Sequence, residues 1–358
     1  MSNILLVFDD FEPISNYKLS LVEKARDLVT PDTIVFGYFP KSSGDRIFQR
    51  EEKIALLGAS IPNSPTPRYV IDGNSFEKES PSLCYRIQEQ KAKHKNADLY
   101  LLLDSREFEV LRSSQELVYI LSMVQLVLYV LPEHKEILER MPLVMQHPIL
   151  IANTPELNKL ANSSIFEMDG DTFPPLVQEY VNKSSECAIK RIKKYLSPTR
   201  FKHSLRVAGA IQKINETIEL EDAELRYNSY IAALYHDICK EFKKEELIEI
   251  AGRELGITSF PSYKVLHGPV GAWFMKTNYL FNDENILEAV AEHTVPSENP
   301  KKITKLLYLA DHLELEKRDR YPDDIYNQVW EFLDQKDVDK AFEMLLNFCN
   351  SKRRSNAS

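Results

Sequence analysis

The chain has 358 residues, a formal net charge of −9 and four cysteines. That length exceeds what one hydrophobic core usually serves, so two domains are expected. The acidic balance argues against general affinity for nucleic acid or anionic membrane, which needs clustered cations to displace counterions from phosphates, and leaves small molecules as the expected substrates.

Cys84, Cys187, Cys239 and Cys349 are scattered without a C-x-x-C pair, and the chain opens on the apolar run NILLVF rather than on a basic region leading into an apolar leader. A reduced, cytoplasmic protein is expected. No apolar run approaches the ~20 residues that span a bilayer; the richest, 117–131, is interrupted by Tyr119, Ser122 and Gln125.

In the first half, residues 3–8, 33–39, 68–71, 99–103, 124–131 and 148–152 read as strands, with helical patterns at 19–29, 51–59 and 83–94 between them. Near-continuous apolar strands separated by helices imply a parallel sheet covered on both faces, a doubly wound α/β fold. After about Val181 the strand pattern stops, and 186–195, 200–215, 222–240, 244–255, 265–277, 284–292 and 301–313 carry helical periodicity. Ser197-Pro198 and Asp222 are start signals and Gly256 is a stop signal. The polar segment Asn182-Lys183-Ser184-Ser185 marks the change of pattern, so domains are expected at 1–183 and 184–358. The basic tail 351–358 is expected to fray. No internal repeat is found.

Within the helical half, His203, the adjacent His236-Asp237, His267, His293 and Asp311 form a set of candidate metal ligands. Imidazole and carboxylate together suit iron, manganese or zinc. A lone histidine in a helix is more often a core or surface group than a ligand. Here, however, His236-Asp237 follows the apolar run Ile231 to Leu234, and Asp311 follows Leu306 to Ala310. A carboxylate buried there without a cation costs several kcal/mol. Consecutive side chains on a helix diverge by ~100°, so His236 and Asp237 do not chelate one ion as an i, i+4 pair does. Asp237 is expected to offer its two oxygens to two metals, with His236 anchoring one and the other donors arriving singly from different helices.

At these residues the chain resembles the HD-superfamily phosphohydrolases: His203, His236-Asp237 and Asp311 match the H…HD…D pattern. Residues 266–272 (LHGPVGA), Glu292-His293-Thr294 and Tyr308 to Asp311 are similar to the bacterial branch that hydrolyses diadenosine tetraphosphate symmetrically, and the resemblance covers 186–337. It implies an all-α HD domain with a di-iron centre that yields two ADP. By position, His203, His236, Asp237 and Asp311 would hold the first metal, and Asp237, His267 and His293 the second. A metal lowers the pKa of bound water from 15.7 to about 7, and two metals clamp attacking and leaving oxygens. Lys240, one turn beyond His236, is the candidate for neutralising phosphate charge, with a solvated lysine in the 240–244 cluster as the alternative; Asp237 and Lys240 are the expected catalytic residues. Glu314, Lys317 and Arg318 fall where the family has a nucleotide-contacting loop, with Leu315-Glu316-Lys317 in place of Pro-Asn-Arg, and His312 is read as incidental.

In the first half, residues 11–19 (FEPISNYKL) resemble the signature G-G-[ST]-F-D-P-x-H-x-G-H-L of nicotinate-nucleotide adenylyltransferases. Further similarities are Glu79 to Ser82, Asp98 to Asp104, Asn162 to Phe166 and the closing segment Pro174 to Val181. The resemblance implies a nucleotidyltransferase-like Rossmann sheet. Its chemistry is altered: Ser15 and Lys18 stand at the two histidine positions, Phe8 and Asp9 at the paired glycines, Tyr17 at the third glycine, and no arginine follows Phe166. Asp9, Asp10 and Glu12 add negative charge where phosphates dock. Losing one charge-stabilising donor commonly costs ~3 kcal/mol, and several are missing. Lys18 remains as a cation able to pair with a phosphate.

The expected protein is a cytoplasmic hydrolase of a small nucleotide polyphosphate, holding two metal ions, with iron first and manganese or zinc as alternatives. Its first domain serves as scaffold or regulator. The rival readings are a bifunctional enzyme that still makes nicotinate adenine dinucleotide and a nucleotide-sensing module. A homo-oligomer is left open; nucleic-acid and membrane partners are not expected.

Overall fold

The structure is a computed structural model that describes residues 2–40, 47–77, 82–139, 148–162 and 172–355. The chain divides into two compact units, Met1–Gln178 and Glu179–Ser358.

The first unit is built on a six-stranded, wholly parallel sheet in the order β3-β2-β1-β4-β5-β6. The strands are β1 (Ser2–Asp9), β2 (Thr33–Tyr38), β3 (Arg68–Ile71), β4 (Ala97–Asp104), β5 (Gln125–Tyr129) and β6 (Ile149–Ile151), the six read from the sequence. Leu5, Leu6 and Val7 in β1 and Leu101 and Leu102 in β4 are fully buried. This is why the central strands are continuous apolar runs: helices cover both faces. The helices Asn16–Val29, Arg50–Ser60 and Leu83–Lys93 lie where the periodicity places them. Chain order reverses between β1 and β4, so the crevice at their carboxyl ends is the place where a doubly wound sheet presents a ligand site. Phe8 at the end of β1 faces Gly37 of β2, where a Cβ would come within 2.4 Å of the Phe8 ring.

The second unit is all helical. Its helices include Ser185–Tyr195, Pro198–Thr217, Ala223–Tyr235, Lys244–Leu255, His267–Asn278, Glu284–Glu292 and Lys302–Leu313. Asp222 caps its helix by accepting from Leu225 N at 2.9 Å, and Gly256 ends the Lys244–Leu255 helix in the left-handed region at φ 67°. Ile211, Ile231, Leu234, Val270, Ile286, Val290, Leu306 and Leu309 form the core.

Three expectations are corrected. The helix expected over 222–240 ends at Tyr235, and His236 and Asp237 lie in the turn beyond it. Two further helices, Asp323–Asp334 and Val338–Ser355, follow the last helix that the periodicity predicts. The second of them runs through Ser355, so residues 351–355 are helical rather than frayed. Among the described residues no helix is long and apolar enough to cross a membrane.

Gly268 fixes how two of these helices meet. A Cβ at this position would lie 2.7 Å from Ala291 O and 3.1 Å from Val290 O, both backbone atoms of the Glu284–Glu292 helix. Since backbone cannot swing aside as a side-chain tip can, Gly268→Ala is expected to lower stability by about 1–3 kcal/mol. Loss of thermal stability, monitored by tryptophan fluorescence from Trp273 and Trp330, checks it. An unchanged melting temperature would show that the two helices tolerate separation.

Candidate metal centre

Six side chains converge from five helices. His203 stands in the second turn of Pro198–Thr217, and His236 and Asp237 follow the end of Ala223–Tyr235. His267 opens His267–Asn278, His293 follows Glu284–Glu292, and Asp311 lies in the last turn of Lys302–Leu313. His203, His236, Asp237, His267 and His293 are buried, and the Asp311 side chain retains 16 % exposure.

The two oxygens of Asp237 divide the cluster. Oδ2 lies 3.8 Å from His203 Nε2 and 3.7 Å from His236 Nε2, while Asp311 Oδ1 is 3.0 and 3.7 Å from the same two nitrogens. On the other side, Oδ1 lies 3.0 Å from His267 Nε2 and 3.7 Å from His293 Nε2, and those two nitrogens are 3.0 Å apart. Donors ~2.1 Å from a shared cation and 90–109° apart are ~3.0–3.4 Å from one another, so each set has about the spacing of one coordination sphere. The groups His203, His236, Asp237 and Asp237, His267, His293 are each compact enough to hold an ion.

The hydrogen bonds behind the imidazoles decide which nitrogen faces inward. His236 Nδ1 is 2.7 Å from Ala233 O, His267 Nδ1 is 2.5 Å from Lys264 O and His293 Nδ1 is 2.7 Å from Val290 O. A carbonyl only accepts, so in each neutral ring Nδ1 carries the hydrogen and Nε2 presents a bare lone pair. Burial pushes the His236 pKa down to about 3 and also lowers that of His267, which keeps both rings neutral at physiological pH. Lone pairs and carboxylate oxygens therefore face one another. His236 Nε2 is buried without a hydrogen-bond partner, an arrangement that costs free energy unless a cation takes its lone pair. On this chemistry the residues fit a pair of divalent cations.

Side-chain cations surround the acids. Burial opposes charge on Asp237, but its surroundings, the Lys240 ammonium among them, outweigh this and hold the carboxyl well below the usual carboxylate range. Lys240 Nζ is 3.3 Å from Asp237 Oδ1 and 3.0 Å from His267 Nε2, so this lysine is drawn into the cluster rather than left solvated. Arg200, which sequence reasoning passed over, approaches Asp237 Oδ2 to 3.6 Å with its side chain 43 % exposed. Its place three residues before His203, one helical turn away, was the available signal.

The loop after Asp311 carries the three residues at which nucleotide contact is expected, and they have different surroundings. Glu314 is buried, 3.3 Å from His203 Nδ1, and accepts from Arg206 Nε at 2.8 Å. Lys317 Nζ is 2.6 Å from Asp311 Oδ1 and also donates to Asp311 O at 2.6 Å, so its charge is engaged by a cluster acid. Arg318 does not join the cluster: it pairs with Asp323, donates to Tyr321 O at 3.1 Å and lies 4.2 Å over the Tyr326 ring. His312 Nδ1 is 2.9 Å from the Tyr321 hydroxyl, outside both sets.

In the first unit Lys18, at which a nucleotide contact is expected, lies in an ion cluster. Lys18 is 3 % exposed, and its Nζ lies 2.7 Å from Glu107 Oε1 and 3.1 Å from Asp9 Oδ2. Burial disfavours the ammonium, but Asp9, Glu107 and Asp104 overcome this and raise its pKa. Ser15 caps the Asn16–Val29 helix by accepting from Lys18 N at 3.3 Å. The remaining acids are also engaged: Glu12 pairs with Lys53 and accepts from Phe48 N, and Asp104 caps the Ser105–Arg112 helix while accepting from the Tyr17 hydroxyl at 3.0 Å and binding Arg106 at 2.7 Å. The crevice at the ends of β1 and β4 is thus occupied by the chain's own ion pairs. Of the motif residues, Glu79, Ser80, Pro81 and 163–166 lie outside the described residues.

A family profile described as the HD domain matches residues 200–316. Most of the chain is similar to a protein named probable nicotinate-nucleotide adenylyltransferase/Ap4A hydrolase from Mycoplasma genitalium, with 26% identity over 322 residues, 87% of this chain and 87% of that protein. The helical part is similar to the symmetrical bis(5'-nucleosyl)-tetraphosphatase of Staphylococcus aureus, with 34% identity over 150 residues, 40% of this chain and 75% of that enzyme. Among solved structures, a predicted HD superfamily hydrolase involved in NAD metabolism from Clostridium acetobutylicum covers 48% of this chain and 86% of its own at 28% identity, with a TM-score of 0.40.

Proposed function

Since this chain belongs to the HD-domain family of hydrolases, through residues 200–316, we propose that it is a metal-dependent phosphohydrolase whose substrate is diadenosine tetraphosphate, cut symmetrically into two ADP. In this reading residues 184–358 form the hydrolase domain and 1–183 an adenylyltransferase-like domain. His203, His236, Asp237 and Asp311 hold one ion, and Asp237, His267 and His293 hold the other. The observation that carries the reading is the division of the two Asp237 oxygens between two sets of inward-facing Nε2 atoms. The substrate follows the names of two relatives, the Ap4A hydrolase of M. genitalium and the symmetrical tetraphosphatase of S. aureus. The metals proposed are iron ions, with manganese and zinc as the ions to compare.

When bound, such a pair of cations makes hydroxide accessible at neutral pH and neutralises phosphate charge. The chain's own residues supply orientation and further charge. Separate helix ends, each imidazole tied back to a carbonyl or to Glu314, hold the donors in place before substrate arrives. Lys240, beside His267, would meet one phosphate oxygen as a point charge, and the partly exposed Arg200 guanidinium would offer a planar fork to another. Asp237 and Lys240 are therefore the proposed catalytic residues.

The first domain is proposed to be a scaffold or regulatory module without transferase activity, because Lys18 and the acids around it neutralise one another. A second reading, a bifunctional enzyme, is favoured by the name of the M. genitalium relative, which matches over both halves. Purified full-length protein loaded with iron or manganese separates these readings. Diadenosine tetraphosphate is expected to give ADP alone, and ATP with nicotinate mononucleotide is expected to release no pyrophosphate. Formation of ATP and AMP would overturn the symmetrical cut, and steady pyrophosphate release would establish the bifunctional reading.

A further inference from the structure

The two donor sets are supported unequally, and the difference lies in the segment following Asp311. His236, His267 and His293 are each tied through Nδ1 to the carbonyl three residues back, a contact made by backbone. His203 stands inside a helix, where the neighbouring carbonyls are committed to the helix itself. Its Nδ1 turns instead to a carboxylate 111 residues away, Glu314 Oε1 at 3.3 Å. Glu314 is buried and held in turn by Arg206 Nε at 2.8 Å and by the backbone N of Glu316 at 3.0 Å. Three residues further, Lys317 places its ammonium 2.6 Å from Asp311 Oδ1, the oxygen that lies 3.0 Å from His203 Nε2. In the second set Lys240 places its ammonium 3.3 Å from Asp237 Oδ1 and 3.0 Å from His267 Nε2.

We propose that the segment 314–317 sets the cation affinity of the first donor set separately from the second, Glu314 raising it and Lys317 lowering it. The inference rests on reading these side chains as metal ligands. Glu314 accepts the Nδ1 hydrogen of His203, which fixes the ring's orientation and makes Nε2 the stronger donor. Lys317 acts in the opposite sense. Its positive charge occupies one side of an oxygen that a divalent cation in the first set must also use, so an entering cation either displaces the ammonium or accepts its repulsion. Glu314 and Lys317 are positioning residues in this account; neither needs to touch the substrate.

The test is a Mn²⁺ titration of chelator-stripped full-length protein, followed by calorimetry and by the electron paramagnetic resonance signal of free Mn²⁺. Wild type is expected to bind two ions in two unequal steps. Glu314→Ala should weaken one step by 10–100-fold, and Glu314→Gln, whose amide oxygen still accepts the Nδ1 hydrogen, should regain most of that loss. Lys317→Met should strengthen the same step by about tenfold or more, leaving the other step where it was. Thermal melts of the stripped variants check folding, and Lys317→Met keeps the test decisive if Glu314→Ala melts early. Two ions bound with no change in the variants, or with both steps moved together, would overturn this inference alone. Failure of wild type to take up two ions would overturn the ligand assignment beneath it.

Discussion

Replacing Asp237 with alanine is expected to reduce ion content from two per chain to less than one and hydrolysis of diadenosine tetraphosphate by a thousandfold or more. The reason is topological. Asp237 contributes one oxygen to each donor set, so its loss depletes both at once, whereas loss of His267 or His203 depletes one. A charge stabilisation worth several kcal/mol corresponds to three or more decades of rate. Stability of the metal-free protein is expected to fall as well, because the fold holds this carboxylate in its charged form, with Lys240 3.3 Å and Arg200 3.6 Å from its oxygens. Metal-free Asp237→Ala should therefore melt lower than metal-free wild type, and Asp237→Asn, which keeps the shape and removes the charge, should lose ions and turnover in the same way. Elemental analysis, steady-state rates and thermal melts make the comparison. Full turnover by Asp237→Ala would remove the basis for the proposed chemistry.

The parts of this molecule that were legible in its sequence are those where burial imposes a pattern. The strands β1 and β4 are covered on both faces, so they appear as the uninterrupted runs ILLVF and LYLLL, and parallel pairing follows from them. The acids of the cluster were conspicuous for the same reason, being the charged residues that follow apolar stretches such as Ile231 to Leu234. The end of the helix at Tyr235 was hidden because the apolar pattern continues through it: Ile238 and Cys239 are fully buried, and neither glycine nor proline marks the stop. The Asp323–Asp334 helix escaped notice because its buried residues are just Val329 and Leu333, a stripe too sparse to read as a period. Glu314 beside His203 and Lys18 between Asp9 and Glu107 were illegible for another reason. A side-chain pair that closes 111 or 89 residues of chain leaves no local pattern at either end.

Lys18→Ala is expected to destabilise the first unit by about 3–5 kcal/mol, the usual cost of leaving a buried charge without its partner. Lys18 is more buried than either acid it binds, and removing it strips Asp9 and Glu107 of their shared ammonium beside the already charged Asp104. For a unit of this size the loss corresponds to roughly 10 °C in melting temperature. The chain provides its own internal control. Both tryptophans, Trp273 and Trp330, lie in the second unit, so their fluorescence transition should stay in place while a calorimetric or far-ultraviolet transition from the sheet moves down. Converting the group together, Lys18→Met with Asp9→Asn and Glu107→Gln, should recover most of the loss, because replacing a whole buried ion cluster by uncharged groups of similar volume is often neutral. These outcomes follow if Lys18 is a structural cation that fills the crevice between β1 and β4. A Lys18→Ala protein of unchanged stability that lost adenylyl transfer from ATP would mean the opposite: the lysine would then be serving a nucleotide, and the first unit would be a working transferase.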